Sequence, residues 1–204
     1  MNHKPFAAAA ERNSQPILDV IREEFGGLTS VLEVGSGTGQ HAVRFAAELA
    51  HVTWQTSDVA ENHAGVKAWL RDAGLPNIRN PLALDVLTDK VPADTYDGVF
   101  SANTAHIMSL AAVEKMFSTV SAVLPEAGVF VLYGPFRIGG NFNSPSNAQF
   151  HRSLREQDAT MGVRHLEDLD RLAEAGEMQR VRLYAMPANN QLVVWKKVNK
   201  RHPT

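Results

Sequence analysis

The chain has 204 residues, with 22 acidic and 20 basic side chains, a formal net charge of −2 at pH 7 and 44% hydrophobic content. This balance fits a folded chain with a sizeable core, excludes disorder for most of its length, and offers no broad basic surface for a nucleic-acid backbone. The absence of cysteine excludes disulfides, thiolate nucleophiles and cysteine-based zinc sites.

From the N-terminus, residues 1–13 read as an arm with an alanine run at 7–10 and too little apolar sequence for a secretion signal. Ile17, Leu18, Ile21 and Phe25 then recur at helical spacing behind Ser14, a candidate N-cap, and Gly26-Gly27 supplies the stop. Strand-like runs follow at 30–34, 51–57, 81–84, 97–102 and 128–133, alternating with helical patterns at 39–49, 62–73 and 110–123 and an irregular link before the fourth strand. Such alternation predicts a parallel sheet covered on both faces. Residues 179–186 and 192–198 read as two further strands joined through Pro187-Ala188-Asn189-Asn190, an antiparallel closing hairpin, and 198–204 reads as a polar tail. No run approaches the ~20 apolar residues of a membrane span. The expectation is one domain over 1–204, soluble and cytoplasmic, with no membrane partner.

The most informative segment is Val31-Leu32-Glu33-Val34-Gly35-Ser36-Gly37-Thr38-Gly39, an apolar strand turning into alternating glycines. The glycines permit positive φ and close approach of a ligand, and the following helix offers free N–H groups. The dinucleotide fingerprint wants its third glycine at position 40, which is Gln40. A ligand without a pyrophosphate, S-adenosylmethionine, is therefore the better match. Glu33, Gly35, Ser36, Gly37, Thr38 and Gly39 are its candidate contacts, with His41 just behind them. Asp58 ends the second strand at the interval where an acid accepts hydrogen bonds from ribose hydroxyls.

Five parallel units, a glycine turn after the first strand and a closing hairpin resemble the class I S-adenosylmethionine-dependent methyltransferases, a Rossmann-like α/β fold with a mostly parallel seven-stranded sheet. Six segments in order, Ala10-Glu11-Arg12-Asn13, Ser36 to Ala42, Trp54 to Asp58, Tyr133-Gly134-Pro135-Phe136, Ser146-Asn147 and Met186 to Asn190, are similar to the small methyltransferase-like family of the methyltransferase-like protein 26 type. That family has no assigned substrate. Where it often carries Trp after the mid-chain helix, this chain has Met161-Gly162. The resemblance implies that Asp85 and the backbone of Val86 meet the adenine, and that Asn189 and Asn190 line the substrate rim.

On the substrate side, Asn103 and His106 leave the strand beside the first, nearest a transferable methyl group. His106 is the candidate general base and Tyr133 a candidate orienting group. Residues 134–147 read as an irregular lid in which Arg137 can meet a carboxylate or phosphate while Phe136 and Phe142 exclude water. Most of these residues also have a structural reading: Asp58 as a helix cap, Asp85 as a loop acid, His106 bonded within its loop, Tyr133 in the core, His41 facing solvent, Asn189 and Asn190 as turn formers. The eight histidines form no i, i+4 pair on one helix, so no metal site is expected. The expected activity is methyl transfer to a small molecule. The alternatives are a non-catalytic sensor or scaffold with the same pocket, and a nicotinamide-dependent oxidoreductase.

Overall fold

The computed structural model describes residues 4–198; residues 199–204 of the expected tail, with His202, and His3 lie outside the described residues. Helix α1 runs Ala8–Glu24. It starts well before the cap expected at Ser14, because the alanine run has the highest helix propensity and continues the helix backwards. Ser14 instead donates its hydroxyl to the Ala10 carbonyl inside the helix.

Strand β1 (Ser30–Val34), helix α2 (Gln40–Glu48), strand β2 (Thr53–Asp58), helix α3 (His63–Ala73), strand β3 (Ile78–Ala83), strand β4 (Gly98–Ala102), helix α4 (Leu110–Val123) and strand β5 (Val129–Gly134) form the alternating body. Helix α4 begins where Ser109 accepts the Ala112 N–H. After β5 come strands β6 (Phe136–Ile138) and β7 (Asn141–Phe142), helix α5 (Pro145–Gln157), strand β8 (Arg164–His165), helix α6 (Leu166–Ala175), and the long strands β9 (Met178–Met186) and β10 (Asn190–Lys197). The segment expected as an irregular lid is therefore partly ordered. Strands β6 and β7 form a ribbon pairing Arg137 with Phe142, turned by Gly139 and Gly140 at φ 57° and 78°.

The main sheet has the order β3-β2-β1-β4-β5-β10-β9. Strands β1 to β5 are parallel, and β10 runs antiparallel to both β5 and β9. Alternate residues feed two cores. Leu32, Phe130 and Trp195 pack with Phe117 of α4, whereas Val31, Val131 and Trp54 pack with Ile17 and Ile21 of α1 and Phe45 of α2. Burial on both faces explains why these strands read as continuous apolar runs. Each such side chain contributes about 1.5–3 kcal/mol relative to exposure. The chain leaves β1 toward β2 on one side and returns to β4 on the other, which opens a crevice at the carboxyl ends of β1 and β4. No helix among the described residues is long and apolar enough to cross a membrane.

Candidate functional site

A cavity of about 1090 Å³ lies in that crevice. Its floor is the turn from β1 into α2. Gly35 takes φ 75°, and a Cβ there would come within 2.6 Å of Thr104 Cγ2, so only glycine lets the loop after β1 lie against the loop after β4. Gly37, at φ 58°, has open space where a side chain would begin. The backbone N–H groups of Gly35 and Ser36 are fixed by the Ser57 carbonyl at 3.1 and 2.9 Å. That of Gly37 donates to Asp58 Oδ2 at 2.6 Å. The other Asp58 oxygen accepts from Val59 N and Asn62 Nδ2.

Gly35, Ser36, Gly37, Thr38, His41 and Asp58 line the cavity. Glu33 does not. It is buried under the turn, where Ser36 Oγ donates to its carboxylate at 2.7 Å and Trp54 Nε1 at 3.3 Å. Burial raises its pKa to about 7, against those two hydrogen bonds and with a smaller push from Asp58. Gly39 is also outside, packed against Val66 and Trp69 of α3. Asp85 and Val86, expected at the adenine, are not at the cavity either. The Asp85 carboxylate closes a turn by accepting Leu87 N, its own N–H is held by Asp89, and Val86 is part of the core under α4.

On the other side, Asn103 and His106 line the cavity. Asn103 has φ 60°, sparsely populated for a non-glycine residue, and its N–H donates to the Tyr133 carbonyl at 2.9 Å. His106 is 7% exposed. Burial, then the charge of Arg164, lowers its pKa to about 4, so the imidazole is neutral at pH 7. His41 is likewise lowered to about 4 by burial. Its Nε2 lies 2.7 Å from Asn13 Oδ1. Asn13 and Asn190 also bond the Tyr133 hydroxyl, and burial raises that group's pKa. Tyr133 thus stands behind the wall rather than in it.

Of the expected rim, Asn190 lines the cavity and Asn189 does not; the Asn189 carbonyl accepts from Asn143 and Asn147, tying the final hairpin to α5. The remaining substrate expectations need correction. Phe136 is in the core, because β6 points it at α6. Arg137 and Phe142 stack on each other, with the guanidinium 4.5 Å from the ring centroid and Nη2 bonded to the Gly140 carbonyl. Neither borders the cavity.

Three contributions were not foreseen. The N-terminal segment borders the cavity, bringing Pro5, Ala7 and Ala10 to its wall. It is held where Trp69 Nε1 donates to the Pro5 carbonyl at 2.6 Å and Lys4 lies over the Trp69 ring. Helix α5 supplies Asn147 and Phe150; its sequence signal was Ser144-Pro145, a capping serine with proline at the first helical position. Finally, Arg164 fastens the loop that carries His106. Its Nε donates to the Ala105 carbonyl at 3.0 Å and its Nη2 to the carbonyls of Met108 and Thr160.

A family model described as a protein of unknown function (DUF938) matches residues 4–197. The chain belongs to that family. This DUF938 chain is similar to an O-methyltransferase family protein from Burkholderia thailandensis, with a TM-score of 0.82 at 13% identity over 95% of this chain and 58% of that one. It is similar to human N-acetylserotonin methyltransferase in complex with SAM, with a TM-score of 0.78 at 12% identity over 94% of this chain and 53% of that one. It is also similar to PigF with SAH, with a TM-score of 0.76 at 15% identity, over 93% and 64%. The chain thus spans less than two thirds of the length of each. The likeness is one of fold: a class I methyltransferase fold of the Rossmann-like kind.

Proposed function

We propose that this DUF938 chain is an S-adenosylmethionine-dependent methyltransferase acting on a small molecule. The observation that carries the reading is the Gly35–Gly39 turn opening onto a large cavity at the strand switch point, with Asp58 at the neighbouring strand end. The space beyond Gly37, which any side chain would enter, fits a ligand lying on the loop backbone. Two of the fold neighbours hold SAM or SAH. The segments that resemble the methyltransferase-like protein 26 type contribute Ala10, Ser36, His41, Asp58, Pro135, Asn147 and Asn190 to the cavity, which supports the same reading. A nicotinamide cofactor is disfavoured by Gln40, whose buried side chain fills the first turn of α2.

When bound, S-adenosylmethionine supplies a methyl group on a positively charged sulfur. Ser36, Gly37 and Thr38 would hold its amino-acid end and Asp58 its ribose. Asn103 and His106 face the opposite side of the cavity, where an acceptor would meet the methyl group. The remaining task of the protein is alignment and exclusion of water. The neutral ring of His106 can accept a proton without first losing one.

Isothermal titration with S-adenosylmethionine, S-adenosylhomocysteine and NAD tests the reading. Micromolar binding of the two sulfur ligands, lost in folded Gly37→Arg and weakened in Asp58→Ala, is expected. Preference for NAD, or no binding by folded protein, would overturn it.

A further inference from the structure

The cavity is electrostatically lopsided. Asp58 and Glu61 border it at the β2 end, and no lysine or arginine side chain lines any part of it among the described residues. Around His106 the wall consists of Ile107, Met108, Pro135, Phe150 and Asn147, none of them charged. Phe150 sets its ring edge against the His106 imidazole, 5.1 Å between centroids at 70°, and is 39% exposed; Ile107 is 50% exposed. These two form an apolar mouth to the cavity.

Two polar groups at this end lack partners among the described residues. Neither ring nitrogen of His106, a residue only 7% exposed, makes a hydrogen bond among the described residues. Asn147, also buried, commits its Nδ2 to Asn143 Oδ1 at 2.6 Å and the Asn189 carbonyl at 2.9 Å, which leaves Oδ1 as an acceptor. Both residues line the cavity, so these acceptors are open to a ligand that takes the place of water on them. A carboxylate or phosphate would meet no lysine or arginine in the cavity wall and two acids further in, and burying it unpaired is disfavoured.

Resting on the methyltransferase reading, we propose that the acceptor is an uncharged, ring-bearing hydroxyl compound, its ring packed on Phe150 and its hydroxyl bonded to His106. In the transfer, the hydroxyl oxygen forms the O–C bond with its own lone pair, and the electrons of the broken C–S bond stay on sulfur. The hydroxyl proton passes to the free nitrogen of His106 and on to water, carrying off the positive charge the sulfonium brought. As the O–C bond forms that proton becomes strongly acidic, so a weak base such as this buried imidazole suffices. Arg137 is held on Phe142 and Gly140 outside the cavity, and Arg164, whose charge reaches His106, is bonded to the Ala105, Met108 and Thr160 carbonyls and does not line it.

The test is binding rather than turnover. The full chain is titrated with 2-naphthol and with 6-hydroxy-2-naphthoate, with and without S-adenosylhomocysteine, while the imidazole resonances are followed by NMR. The naphthol should bind at least about tenfold more tightly than its carboxylate analogue and shift the His106 signals, and Phe150→Arg should narrow or reverse that preference. Equal or tighter binding of the carboxylate, an unmoved His106 signal, an unchanged preference in Phe150→Arg, or binding of neither probe at millimolar concentration overturns the proposal. Failure to bind S-adenosylhomocysteine while the naphthol preference persists would overturn the cofactor reading alone. Binding of S-adenosylhomocysteine with preference for the carboxylate would overturn the acceptor assignment alone.

Discussion

The side-chain carbonyl of Gln40 accepts the backbone N–H of Ala7 at 2.6 Å. The residue that breaks the dinucleotide fingerprint is thus the one that receives the N-terminal segment at the cavity wall. A second tie, Trp69 Nε1 to the Pro5 carbonyl, holds the same segment from α3. Trp69→Phe keeps an aromatic ring and removes that hydrogen bond, about 0.5–1.5 kcal/mol, so S-adenosylhomocysteine should dissociate roughly two- to twelvefold faster. Stopped-flow dissociation with hydrogen exchange of residues 5–10 checks this; an unchanged rate with faster exchange would show that the segment does not retain the ligand.

Thr104 lies where a Gly35 side chain would go. Gly35→Ala should lose about 1–2 kcal/mol to the positive φ and about 1–3 kcal/mol more to overlap with Thr104 Cγ2. Adding Thr104→Ser removes that methyl and keeps a hydroxyl for Ser101 Oγ, so only the overlap part should return. Denaturant unfolding of the two single variants and the double variant separates the two contributions.

Glu33 carries a pH signature. Its folded pKa of about 7 lies above the ordinary 4.5, so between those values the folded protein keeps a proton that the unfolded chain has lost. Stability from this group therefore falls as pH rises through that window, by up to about 3 kcal/mol, and levels off above it. The buried histidines act in the opposite sense below pH 6.5, since their folded pKa values are depressed. They are common to wild type and Glu33→Gln and cancel in the difference. Glu33→Gln should gain stability relative to wild type between pH 5 and pH 8, as read by urea unfolding.

On the proposed function, Arg164 acts on the reaction through the loop it fastens. Arg164→Lys cannot reach the carbonyls of Ala105, Met108 and Thr160 together, and displacing His106 should lower kcat about 10- to 100-fold. Affinity for S-adenosylhomocysteine should stay unchanged, because Arg164 holds the His106 loop, the proposed acceptor side, and not the Gly35 to Gly39 turn. A parallel loss of cofactor affinity in calorimetry would show that the loop shapes both halves.

Local periodicity carried the main sheet. Strand β1, helix α4, the closing hairpin and the glycine turn are legible because side-chain alternation and glycine spacing are properties of a few consecutive residues. The same locality explains the misses. Asp85 stands after a strand as a ligand acid would, yet whether the chain there bends toward the crevice or curls on itself is settled by the Asp85 to Asp89 turn. Phe142 and Arg137 looked like lid residues because their segment is rich in turn formers, and cross-strand pairing consumed them.

By itself, then, the sequence determined the alternating strands and helices, the ligand-permitting turn at Gly35 to Gly39, and the acid at Asp58 that follows it. The tertiary structure decided which residues share the cavity. Ala10 of α1, Phe150 of α5 and Asn190 of the last hairpin meet across it, brought together by sheet order and helix packing. Contacts between segments so distant in the chain leave no trace in local spacing, because the free energy that forms them is burial in a shared core and is indifferent to sequence separation.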